Sequence, residues 1–357
     1  MECILKKFDT RRRFGVELEV GNEIKKPTIR RHILSVSSKS VYTSKYNLST
    51  NNAYWHVKDD STCGVEGRGG PRGIEVASFI ASGIKDLNHI CDVADHLKGK
   101  GVKVNNNCGL HIHADASDLC EQQVGRILAS WIKLEPFLAL ALPIRRIDNP
   151  YCEMFWKLRC RAYRFFNFPN IKNHLGLMSV GSSVFNPLVS ILDLTLDPLT
   201  IYDSLKPTDM SYYENDDRRV TLNLVNYCRA VKQKNSSRKT IELRWPEGTL
   251  DSNEIKNWVR LFLNFIEYAK DAPIPDCSVC PTVSEAMNFL GLGHSNKFTI
   301  LSEGLLNTKI WLLERIVNNP DFDNSRAMMG APVLFYPTKK DFIEYLNFIS
   351  IPFKKYS

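Results

Sequence analysis

Five short runs share one geometry: Phe14-Gly15-Val16-Glu17-Leu18-Glu19, Lys58-Asp59-Asp60-Ser61, Glu75-Val76-Ala77-Ser78, Gly109-Leu110-His111-Ile112-His113 and Ile241-Glu242-Leu243-Arg244. They set carboxylate, imidazole, ammonium or guanidinium groups into otherwise apolar, strand-like stretches. Side chains two apart on a strand project to the same face, so Val, Leu and Ile face one side and the polar groups the other. A chain built this way must form a sheet that is apolar behind and polar in front. Such a polar floor suits metal and phosphate.

The same periodicity places the other elements. Arg13 to Val20 reads as the first strand, with Phe14, Val16, Leu18 and Val20 on one face and Gly15, Glu17 and Glu19 on the other. Residues 25 to 52 read as a polar excursion with one helix, Tyr54 to Lys58 as a strand ending in the acidic turn Asp59-Asp60-Ser61, and Gly73 to Ser78 as a third strand after a glycine-rich loop. A helix is expected over Asp86 to Gly101, and a longer one from Asp118, three residues before Glu121, to about Leu142. Cys108 to Ala114, Arg219 to Asn226 and Lys239 to Trp245 read as strands. Asp251, three before Glu254, should cap an amphipathic helix bearing Ile255, Trp258, Val259, Phe262, Phe265, Ile266 and Ala269. Beyond Asp271 the pattern stops, and short helices are expected near 283–290, 308–317 and 339–348.

With 357 residues, 43% hydrophobic and 24% charged, the chain has the make-up of a globular protein. Its net charge of +8 and pI near 8.9 favour anionic ligands such as nucleotides, nucleic acid or acidic substrates. The basic groups Arg11-Arg12-Arg13, Arg145-Arg146, Arg159 to Arg164 and Lys232 to Lys239 fit solvated faces or a nucleic-acid footprint. Ten dispersed cysteines read as reduced thiols, and neither a signal peptide nor a membrane-length apolar run is present. The expectation is a cytoplasmic protein with no membrane partner. The sequence has no GxxxxGK(S/T), no GxGxxG after a strand and no GxSxG, which argues against P-loop, Rossmann and serine-hydrolase chemistry. Cys277-x-x-Cys280, followed by His294, lacks the second pair that would make a zinc or redox site specific.

Each polar pair has two readings. Glu17 and Glu19 fit an exposed amphipathic strand, or a hard-cation site completed by carboxylates on other strands. His111 and His113 supply two nitrogens, short of the third ligand zinc needs, or one structural imidazole and one substrate contact. Glu242 and Arg244 fit an internal ion pair, or a metal ligand beside a guanidinium that meets phosphoryl charge.

In order, FGVELEV (14–20), WHVKDDS (55–61), GIEVAS (73–78), VNNNCGLHIHAD (104–115), RVTLNLVNY (219–227) and KTIELRWPEGTLDSNEIKNWVRLF (239–262) resemble the amidoligase family of the glutamine synthetase and glutamate-cysteine ligase superfamily. The resemblance implies an α+β, glutamine synthetase-like fold: a curved antiparallel sheet with helices on its convex side and ATP, divalent metal and substrates on its concave face. It implies ligation of a small or macromolecule-linked carboxylate to an amine through an acyl phosphate. Carried onto this sequence, it puts Glu17, Glu19, Glu75, His113 and Glu242 at metal positions, with Mg²⁺ or Mn²⁺ as the ion. It puts Arg244, His113, Asn223 and Lys58 at ATP-binding positions, and Arg244, His111, Lys58 and Asp59 at the reacting centre. Two residues depart from the family pattern: Phe79, where proline is frequent, and Asp60, where glycine is usual. The catalytic domain would span 1–271 with a variable insertion near 145–215, and 272–357 would form a mostly helical extension. Phosphotransfer on the same superfamily fold and nucleic-acid binding through the arginine clusters, including ligation on a modified nucleobase, stay open beside it.

Overall fold

The computed structural model describes residues 4–6, 8, 11–21, 24–44, 53–64, 73–155, 219–232, 239–273, 275, 280–293, 299–329 and 337–350. Most of the expected 145–215 insertion, the Arg159 to Arg164 group, most of the Lys232 to Lys239 group, Cys277 and His294 lie outside these residues.

The central strand is β2 (Phe14–Val20), whose alternation leaves Phe14, Val16, Leu18 and Val20 almost wholly buried. It lies between β5 (Gly73–Ala77) and β6 (Leu110–Asp115), antiparallel to both. With β3 (Val41–Ser44), β4 (Trp55–Asp60), β7 (Leu222–Asn223) and β8 (Thr240–Leu243), the seven-stranded order is β3-β4-β5-β2-β6-β8-β7. Every pairing is antiparallel except β3 with β4. The sheet is therefore mixed, where an antiparallel one was expected. The parallel edge arises within the excursion after β2, whose helix α1 (Lys26–Leu34) packs on both β3 and β4.

One face of the sheet is apolar and carries α2 (Gly83–Gly99), α3 (Glu121–Ala139) and α6 (Ser252–Ala269), sharing a single core with the strands. Helix α6 begins as its sequence requires, since the Asp251 side chain accepts hydrogen bonds from the N–H groups of Asn253 and Glu254. All seven of its expected apolar residues are buried. Helix α2 stops at Gly101, which has φ +79°, with Gly101 N–H bonded to Lys98 and Val102 N–H to Leu97. This is the left-handed termination that glycine favours.

Helix α3 starts later than expected. Its cap is Cys120, whose N–H is accepted by Gln123, because Asp118 is engaged by Arg12. The expected strand from Arg219 to Asn226 shortens to β7. The Asn223 side-chain oxygen accepts the Val225 N–H at 2.9 Å and helix α5 (Val225–Lys232) begins there, while 219–221 bond to Glu153 instead. The expected turn at 59–61 is strand as far as Asp60.

The remaining described elements are α4 (Ile144–Ile147), α7 (Val283–Phe289), β9 (Thr299–Leu301), α8 (Glu303–Val317), α9 (Phe322–Met328) and α10 (Lys339–Ser350). β9 pairs in parallel with β1 (Ile4–Lys6). Asn319 donates to the carbonyls of Leu140 and Leu142, and Arg315 to that of Ala141, so this segment satisfies the carbonyls left open past the end of α3. No described helix is long and apolar enough to cross a membrane.

Arg12 joins three elements. Its guanidinium binds both oxygens of Asp118 at 2.7 and 2.8 Å, Glu267 near the end of α6, and the carbonyl of Asp115 that closes β6. Its side chain is buried, whereas Asp118 is mostly exposed, so only part of the network is desolvated. Arg12→Ala should lower the unfolding free energy in a urea titration by about 2 kcal/mol, and Arg12→Lys should recover only part of that.

Candidate active site

Opposite the helices, the register brings polar residues into cross-strand rows. Glu17 lies between Ala77 and His111; Glu19 pairs with Glu75, which pairs with Lys58; His113 lies between Gly15 and Glu242, which pairs with Asn223. Paired residues share a face, so six strands deliver Glu17, Glu19, Lys58, Glu75, His111, His113, Asn223 and Glu242 to one surface. Arg244 follows β8 with the same parity and reaches Glu242 Oε1 at 2.6 Å.

The centre is a mixed nitrogen and oxygen cluster. His111 Nδ1 is 3.2 Å from Glu17 Oε2 and 3.8 Å from Glu242 Oε1, while His113 Nε2 is 3.2 Å from Glu17 Oε1 and 3.8 Å from Glu242 Oε1. Donor atoms of Glu17, His111 and Glu242 all lie within 4.8 Å of one another. Neighbouring ligands on one octahedral cation at about 2.1 Å are about 3 Å apart, so these residues fit a divalent ion. Glu242 Oε2 is held by the Asn223 amide at 2.5 Å. Glu19 accepts the Gly109 N–H at 2.6 Å and sits 3.5 Å from His111 Nε2. A Cβ at 109 would come to 2.9 Å from His111 Nε2, so any larger residue there would displace the imidazole.

Burial raises all four carboxyl groups, and their neighbours then divide them. Against burial, the charge of His113 and the hydrogen bond from His111 take Glu17 well below the usual carboxylate range, and Arg244 and His113 take Glu242 below it. Burial leaves Glu19 raised, and burial with the charge of Glu17 pushes Glu75 well above the usual range despite Lys58. Burial opposes the charged form of His113, but Glu17 and Glu242 lift it to about 9. Lys58 and Arg244 are likewise raised over the effect of burial, by Glu75 and Glu242 respectively. Glu17, Lys58, His113 and Arg244 are each about one-fifth exposed in their side chains, while Glu19, Glu75, His111 and Glu242 are nearly closed off. The first four line the opening and the second four the floor.

Of the residues singled out in the sequence, Glu17, Glu19, Glu75, His111, His113, Asn223, Glu242, Arg244 and Lys58 come together. Asp59 does not. It pairs with Ile74 on the helix side, where Lys26 holds it at 2.6 Å, because strand β4 continues through it and parity turns it away. Asp60 takes the site face instead. His111, placed by the resemblance at the reacting centre, lies in the donor cluster with Glu17 and Glu242. Glu19 and Glu75 lie beside that cluster, bonded to Gly109 and Lys58. His56, not singled out, shares the parity of Lys58 and faces the same surface, with its Nε2 2.7 Å from Ser44 Oγ. The alternation in Trp55-His56-Val57-Lys58 is the signal that marks it.

Residues 10–165 match the family model described as putative amidoligase enzyme. That span runs from the start of β2 through β6 and α3, so it carries Glu17, Glu19, Lys58, Glu75, His111 and His113, and is similar to ligase-type enzymes. No curated protein matches the chain.

His113 gives the site a pH signature in the metal-free protein. Its folded pKa lies above the unfolded value of about 6.5, so its contribution to stability is complete below about pH 6.5 and is lost as pH rises through about 9. Carbon-13 NMR of the imidazole should show a midpoint near 9, Glu17→Gln should bring it down, and His113→Gln should flatten the decline in stability between these two pH values.

Proposed function

We propose that the protein is an ATP-dependent carboxylate–amine ligase using Mg²⁺ or Mn²⁺. The observation that carries this reading is Arg244: its guanidinium leans on the carboxylate floor from the opening, and its Nε, itself closed off, has no hydrogen-bond partner among the described residues. A buried donor left unpaired is costly, so an anion is expected to complete it.

A carboxylate is a poor electrophile at neutral pH. In the proposed reaction a carboxylate oxygen of the acid forms a bond to the γ-phosphorus of ATP and the bond to the β-phosphate oxygen breaks, releasing ADP. The amine nitrogen then bonds to the carbonyl carbon, the bond from that carbon to the phosphate oxygen breaks, and phosphate leaves with the amide formed and the amine proton lost.

Glu17, His111 and Glu242 would hold the cation, with His113 against the same oxygens. A divalent ion bound there supplies positive charge to the polyphosphate and relieves its repulsion from the floor. Arg244 keeps its charge and offers Nε to the transferring phosphoryl group, where a planar guanidinium suits spread-out oxygens. Asn223 fixes the orientation of Glu242. Lys58 remains charged at the opening, placed to meet an incoming carboxylate or phosphate.

Purified protein with ATP, Mg²⁺ and a panel of acids and amines should release ADP and form amide. Failure to release ADP, together with no ATP binding in calorimetry, would sink the reading. Glu242→Ala and Glu19→Ala should each cut turnover at least about a hundredfold with the fold retained, and Arg244→Lys should fall comparably. Wild-type turnover in Glu242→Ala would exclude its role in holding the cation.

A further inference from the structure

The dipeptide Arg145-Arg146 divides in the structure. Arg145 is exposed and paired with Glu247. Arg146 is only 3% exposed, and its guanidinium donates to two successive backbone carbonyls, those of Arg244 at 2.8 Å and Trp245 at 3.0 Å. The grip is mutual, because the Trp245 indole N–H and the Cys152 thiol both donate to the Arg146 carbonyl. Among the described residues, no carboxylate lies within ion-pair distance of Arg146.

A buried guanidinium held only by carbonyl dipoles is an expensive way to end a strand, since a neutral amide could donate to the same oxygens. Two features make the arrangement intelligible. It fixes the peptide groups on the carbonyl side of Arg244, while the Arg244 N–H is bonded to Thr221 at 2.9 Å, so the backbone from which that side chain springs is held on both sides. Thr221 is itself anchored by Glu135, fully buried on α3, and by the Trp131 indole at 2.9 Å. Among the described residues, it also leaves a positive charge without a carboxylate partner behind a side chain whose own Nε has no hydrogen-bond partner.

We propose that Arg146 is a positioning residue for Arg244, aiming its free Nε at a polyphosphate and adding unneutralised positive charge behind it. This rests on the ligase reading of the site. It concerns the polyphosphate end of the nucleotide, not the metal. Removing Arg146 should therefore weaken polyphosphate binding and leave metal binding intact, whereas a merely structural role would lower thermal stability without separating the two.

The test uses the full chain with Mn²⁺ alone, then tripolyphosphate in the presence of Mn²⁺, titrated by calorimetry into wild type, Arg146→Gln and Arg146→Lys. Mn²⁺ affinity should stay within about twofold in all three, while tripolyphosphate affinity falls about thirtyfold or more in Arg146→Gln and about tenfold in Arg146→Lys, which keeps the charge but loses the fork. Nitrogen-15 NMR should show the Arg244 Nε–H shifting with tripolyphosphate in wild type and much less in the variants. If Arg146→Gln does not fold, Arg146→Lys carries the comparison. Unchanged tripolyphosphate affinity in a folded variant, or equal losses of Mn²⁺ and tripolyphosphate binding, overturns the inference alone. Wild-type protein that takes Mn²⁺ but no tripolyphosphate overturns the ATP-dependent reading beneath it.

Discussion

Four carboxyl groups on neighbouring strands of one sheet face repel one another, and the rest of the structure is arranged around keeping them there. Burial alone would protonate all of them. Each has a partner, but only two are brought below the usual range, Glu17 by the imidazoles and Glu242 by the guanidinium with His113, while Glu75 beside the Lys58 ammonium and Glu19 on the Gly109 N–H stay raised. None of these partners comes from a distant loop. They are the cross-strand or parity neighbours that the antiparallel register supplies, so a slip of one residue in β6 or β8 would put like charges against apolar side chains.

That dependence on register explains what could be read from the sequence. Alternation announces itself where a strand has one apolar and one polar face, as in β2, β6 and β8, and there the site residues were legible one by one. It fails where polarity runs through both faces. In Lys58-Asp59-Asp60 two adjacent carboxylates give no parity cue, and only the extent of β4 decides that Asp60 faces the site while Asp59 meets Lys26. Edge strand β3 was invisible because Val41 is its one well-buried residue. Local side-chain chemistry decided the other misreadings: Asp118 resembled a helix cap but is taken by a distant arginine, and Asn223 stopped a strand by starting a helix.

The arginine groups make a related point about charge. A run of basic residues reads as a solvated face, because spacing cannot tell which member turns inward. Arg12 binds Asp118 and Glu267, Arg13 binds Asp115, and Arg146 is enclosed by backbone carbonyls. In these groups the charge serves internal joints between elements far apart in the chain, which no window of neighbouring residues could disclose.

The placement of β8 between β6 and β7 has a consequence for how the molecule becomes competent. Glu17 and His111 meet once the first half of the chain has folded, but Glu242 and Arg244 come from a strand near residue 240 that must insert beside β6. Such long-range pairing is slow to form, because the closure entropy is lost before the contacts are gained. Until then the partial sheet holds two of the three clustered donors, Glu17 and His111, and lacks Glu242. A cation held as proposed by Glu17, His111 and Glu242 would therefore find its full donor set only once β8 has docked, and would pull late folding intermediates toward that state by mass action.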